Sequence, residues 1–112
     1  MSNVAILWDM ENVNPGSDSL FLEGLTDYAE AKGRVVAARA YGNWNHTSLS
    51  KLAPSLTRSY FYLVHIPKGQ KNSSDMVLVS DALEILRVSD HIDTFILVTG
   101  DSDFRFLVLS LR

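Results

Sequence analysis

Short apolar runs alternate along the chain with longer stretches in which apolar residues recur at helical spacing. That alternation is the signature of strands interleaved with helices. Val4–Trp8 is the first run and fits a strand buried on both faces. Asn14-Pro15-Gly16-Ser17 forms a loop, and Ser17 or Asp18 can cap a helix that continues to about Lys32, with Leu20, Phe21, Leu25, Tyr28 and Ala29 near helical spacing. Gly33 ends it, and Arg34–Tyr41 reads as the second strand. Ser48–Leu56 is expected as one short helix despite Pro54, and Tyr60–Ile66 as the third strand, rich in aromatic and branched residues. A polar loop over residues 67–74 leads into a strongly apolar helix, Asp75–Val88, expected to be covered on most sides. Phe95–Thr99 is the fourth strand, and Asp103–Leu111 reads as the opening turns of a fourth helix.

The pattern therefore predicts an α/β protein, and its 112 residues amount to one domain spanning the chain. The last helical pattern runs into Arg112 without a cap, glycine or proline, so a C-terminally truncated domain is expected. The chain has no cysteine, which removes disulfides, thiolate zinc sites and sulfur redox chemistry. No basic flank precedes the first apolar run, and no run is long enough to span a membrane. A cytoplasmic location follows as the expectation. A net charge of −3 argues against a broad surface that coats nucleic acid, but not against a nuclease whose acids gather around a cation.

Two motifs follow strand patterns directly: Asp9-Met-Glu-Asn-Val-Asn14 after the first strand and Gly100-Asp-Ser-Asp-Phe104 after the fourth. A parallel sheet carries both to its carboxyl edge, where open α/β folds bind ligands. Carboxylates brought together repel unless a proton or cation lies between them, and hard oxygen ligands of this kind suit Mg²⁺ or Mn²⁺. Asp9 and Asp101 are the primary metal candidates. Capping explains one of Asp101 and Asp103, but not both. Asp75, opening the third helix, supplies a third corner from the loop after the third strand, although an acid there also suits the helix dipole. Asp81 lies six residues further on and cannot share a face with Asp75, so a structural hydrogen bond is its expected use.

Asn12 can support Asp9 by a hydrogen bond or contact a phosphate. Lys68 and Lys71 can hold a phosphodiester beside the metal, and Arg39 and Arg105 are similar candidates. Tyr41, Trp44 and His46 can stack on bases or cover the rim of the core. The histidines His46, His65 and His91 show no ligand spacing.

Taken together, Val4–Asn14, Lys71–Asp81 and Leu97–Phe104 resemble the NYN domain of the PIN-like nuclease superfamily, and its LabA-like branch in particular. The resemblance implies a Rossmann-like parallel sheet with helices on both faces and strand order 3-2-1-4-5, here 3-2-1-4 with the usual fifth strand missing. It also implies a Mg²⁺ or Mn²⁺ site that activates water for phosphodiester hydrolysis, usually of RNA. On that basis Asp9, Asp75 and Asp101 hold the metal, Asp103 is a fourth or supporting acid, and Asn12 matches the family asparagine. Single-stranded RNA is the expected partner, and a homo-oligomer is compatible with the sequence. The loop before Asp75 departs from the family, reading Lys-Asn-Ser-Ser where a glycine-valine pair is usual. Two rivals are a non-catalytic module that keeps the acids to bind RNA, a nucleotide or a protein, and a phosphatase with Asp9 as nucleophile. Glu11 stands where such a phosphatase commonly has its second aspartate.

Overall fold

A computed structural model describes residues 2–16, 19–67, 73–89, 91–99 and 106–110; of Ser19, 73–75 and 106–110 only the backbone is described. The elements are β1 (Asn3–Asp9), α1 (Ser19–Lys32), β2 (Arg34–Gly42), α2 (Thr47–Ser50), α3 (Ala53–Arg58), β3 (Tyr62–His65), α4 (Ser73–Val88), β4 (Thr94–Val98) and β5 (Phe106–Ser110). They form one sheet in the order β3-β2-β1-β4-β5. The strands β3, β2, β1 and β4 run parallel, in the order expected for the family.

β1 is central, and every residue from Val4 to Asp9 is buried. Alternation along it feeds two cores. Val4, Ile6 and Trp8 join Leu25 and Ala29 of α1 and Leu56 of α3, while Ala5 and Leu7 join Leu78 and Ile85 of α4. Trp8 anchors the first core between Phe21 and Phe61, its ring centroid 5.2 Å and 5.9 Å from theirs. Gly33 is required where α1 turns into β2, because a side chain there would run into the Ser2 carbonyl oxygen that accepts the Arg34 N–H.

The structure corrects the sequence reading in three places. The stretch Ser48–Leu56 is two helices, α2 and α3, because Pro54 lacks an N–H and sits in the first turn of α3 rather than inside a longer helix. Residues 106–110, expected within a fourth helix, form β5 and pair antiparallel with β4, from Thr94↔Ser110 to Val98↔Phe106. A short apolar run such as Phe106-Leu-Val-Leu-Ser has no decisive period, and the open hydrogen-bonding edge of β4 selects the strand. The position beyond β4 is thus filled by an antiparallel strand. The third correction concerns α4, which is covered on one face only. Leu78 and Ile85 are buried, whereas Met76 is 70% and Leu83 61% exposed.

α3 ends in a Schellman motif: the Phe61 N–H donates to the Leu56 carbonyl and the Tyr60 N–H to the Thr57 carbonyl. Tyr60 takes the left-handed position at φ 67°, one usually given to glycine.

Candidate active site

Parallel pairing brings three chain segments to one edge. Asp9 ends β1 beside Tyr41 of β2, and Trp8 pairs with Val98 at the end of β4. β3 runs the same way, so the chain passes from it into α4 at this edge, with Asp75 in the helix's first turn.

Asp9 is fully buried. Its Oδ1 accepts the Glu11 N–H at 3.1 Å, and its Oδ2 accepts the Asn12 side-chain amide at 2.6 Å. The Asp9 carbonyl accepts the Val13 N–H at 2.9 Å, which closes the turn after the strand. The Trp8 indole N–H donates to the Val13 carbonyl at 2.8 Å and ties that turn to the core. Asx-turn chemistry and a rigid loop thus orient one buried carboxylate at the carboxyl edge. Asn12 supports it directly.

Of the other acids, Asp81 is placed in full. Its Oδ2 accepts the Tyr41 hydroxyl at 2.7 Å and the Arg39 Nη1–H at 3.0 Å. Burial, followed by the hydrogen bond and charge of Asp81, keeps the Tyr41 phenol protonated well above its usual range. Desolvation opposes the Arg39 charge, yet Tyr41 and Asp81 outweigh it and leave its pKa raised. Asp81 therefore joins α4 to β2, the structural use expected for it. Arg39, a phosphate-binding candidate in the sequence, is held in that ion pair instead.

Tyr41 is fully buried and so cannot stack on a base. Trp44 packs partly buried against the first core and donates its indole N–H to the Val64 carbonyl at 3.1 Å, which makes it a rim-covering residue. His46 caps α2. Sequence reasoning missed that His65 stands in the same groove as His46; 19 positions separate them, and only the β2–β3 pairing brings them together.

Lys68, Lys71, Asp101, Asp103, Arg105 and the Asp75 side chain lie outside the described part of the molecule. Among the described residues, no group of three or more histidine, aspartate or glutamate side chains gathers to hold a metal.

The family model for the NYN domain matches residues 3–112. The chain belongs to the NYN domain family. It is thereby a member of a nuclease-like, PIN-like α/β superfamily that is nucleic-acid related and commonly uses divalent metals. No curated protein and no solved structure matches the chain. Among the described residues, no helix of this NYN domain is long and apolar enough to cross a membrane.

Proposed function

We propose that this NYN domain is a metal-dependent ribonuclease that hydrolyses phosphodiester bonds of single-stranded RNA. The observation that carries the reading is Asp9: a fully buried carboxylate at the carboxyl edge of the central strand, fixed by the Asn12 amide at 2.6 Å. Such a rigid, oriented oxygen ligand suits a hard divalent cation. The residues that would complete the ligand set are Asp75, in the first turn of α4, and Asp101, with Asp103 in support. When bound, Mg²⁺ or Mn²⁺ would supply Lewis acidity, lowering the pKa of water and neutralising phosphate charge.

The protein's own part is positioning. Asp9 sits on a strand rather than a flexible loop, Asn12 sets its rotamer, and Lys68 and Lys71 would hold the phosphodiester beside it. The domain would act in the cytoplasm as one unit spanning residues 1–112.

The test is cleavage of several single-stranded RNA substrates by the native chain and by Asp101→Asn in the presence of Mn²⁺. The reading expects cleavage by the native protein, and its abolition in a variant whose circular dichroism is unchanged. Full activity in Asp101→Asn, with contaminating nuclease excluded, overturns the reading. A native protein that binds RNA without cutting it would assign the acidic site to a non-catalytic module.

A further inference from the structure

The carboxyl edge beside Asp9 opens into a groove of about 730 Å³, lined by Glu11, Asn14, Asn43, His46, Ser48 and His65 among others. The backbone fixes how its side chains present themselves. The His46 Nδ1 accepts the Ser48 N–H at 3.2 Å and lies 2.9 Å from the Ser48 hydroxyl. The His65 Nδ1 accepts the Trp44 N–H at 3.3 Å. A ring nitrogen that accepts carries no proton, so each neutral imidazole keeps its hydrogen on Nε2.

The asparagines are fixed in the same sense. The Asn43 Oδ1 accepts the Asn45 N–H at 3.1 Å, and the Asn14 Oδ1 accepts the Gly16 N–H at 2.8 Å. Each amide oxygen is engaged with the backbone, and the amide nitrogen is left as the outward group. Asn14 gives one of its hydrogens to the Ser48 hydroxyl at 3.3 Å. Among the described residues, no hydrogen bond reaches the Nε2 of His46 or His65, or the Nδ2 of Asn43. Three N–H donors, the Nε2 of His46 and His65 and the Nδ2 of Asn43, thus stand in the groove beside hydroxyl groups and one carboxylate. Among the described residues that line it there is no lysine or arginine, and Glu11, next to Asp9 in the turn, is the one anion.

We propose that this groove binds the phosphodiester backbone of a single nucleic-acid strand adjoining the cleaved bond, with His65, His46 and Asn43 donating to the phosphate oxygens. The non-bridging oxygens of a phosphodiester only accept and recur at every nucleotide, whereas a base edge that only accepts, such as guanine O6 and N7, depends on sequence. The three N–H donors of His46, His65 and Asn43 match the former whatever the sequence. The Asn43 amide carries no charge, so it displaces no counterions and its contribution is insensitive to salt. That separates it from Lys68 and Lys71, whose contribution would fade as salt rises. The inference rests on the nuclease reading only for the direction from which the strand arrives.

The experiment measures binding of a 2′-O-methyl oligoribonucleotide, which resists cleavage, by fluorescence anisotropy at several salt concentrations. Asn43→Ala and His65→Ala are each expected to weaken binding about tenfold, with the slope of log Kd against log salt unchanged in Asn43→Ala. His65→Gln, which retains a side-chain N–H, is expected to restore most of the loss. A single neutral methylphosphonate linkage, scanned along the strand, is expected to weaken the native protein at one position and to have no effect there in Asn43→Ala. Unchanged affinity in both alanine variants overturns the proposal, as does a methylphosphonate penalty that is the same in native and variant proteins. If RNA is cut normally while these variants bind like the native chain, only the groove assignment falls. If nothing is cut but the binding results hold, only the nuclease reading falls.

Discussion

The Asn12 side-chain amide donates to the Asp9 carboxylate at 2.6 Å, three residues along the same turn. This contact fixes the acid at the end of the central strand. Groups that orient a metal-binding carboxylate typically matter about 10–100-fold when removed. Asn12→Ala is therefore expected to lower kcat for RNA cleavage by about that factor, with KM little changed. Steady-state kinetics check it; a change confined to KM would place Asn12 on the substrate rather than behind the acid.

Tyr41 predicts a pH dependence. Burial and then Asp81 hold its phenol neutral in the folded protein above the ordinary value of 10.0. A raised pKa means that the folded chain keeps a proton which the unfolded chain loses. Stability from this group is whole below pH 10.0 and declines as pH rises from there towards the folded value. Urea unfolding between neutral and strongly alkaline pH should show that decline in the native protein. Tyr41→Phe should show a shallower one, since it has no phenol at this position to ionise.

At Tyr60 the backbone carries a side chain at φ 67°, closing α3 in a position that glycine occupies without strain. The left-handed region costs a residue with a Cβ about 1–2 kcal/mol. Part of that gain is offset by the extra freedom glycine brings to the unfolded chain. The Tyr60 side chain is 91% exposed and contributes little packing. Tyr60→Gly is expected to raise stability by about 1 kcal/mol, read as a higher urea midpoint at unchanged m-value.

The four parallel strands were legible because each is a short, nearly continuous apolar run bounded by polar turns. The apolar run Val4–Trp8 also marks Asp9 as a strand-end acid in the sequence itself. What escaped the sequence was settled by tertiary context. Pro54 divided a helix that apolar spacing alone would join. Phe106–Ser110 became a strand because β4 offered an unpaired edge. The apolar composition of α4 suggested cover all round, yet its outer residues Met76 and Leu83 are exposed. The donor groove was the least legible feature. Its histidines lie 19 positions apart, and their tautomers depend on backbone N–H groups of Trp44 and Ser48 that no spacing rule identifies.

The proposed function puts Asp9 in a metal site that cuts RNA. The most direct measurement is the rate of cleavage of a fluorogenic single-stranded RNA across a Mn²⁺ titration, for the native protein and for Asp9→Asn. Asn keeps the volume and one oxygen of the carboxylate while removing its charge. Cleavage is expected to require Mn²⁺ and to saturate with it, and Asp9→Asn is expected to lose at least about 100-fold with the fold retained. Native-level cleavage by Asp9→Asn, or no cleavage by the native protein at any Mn²⁺ concentration, would contradict it.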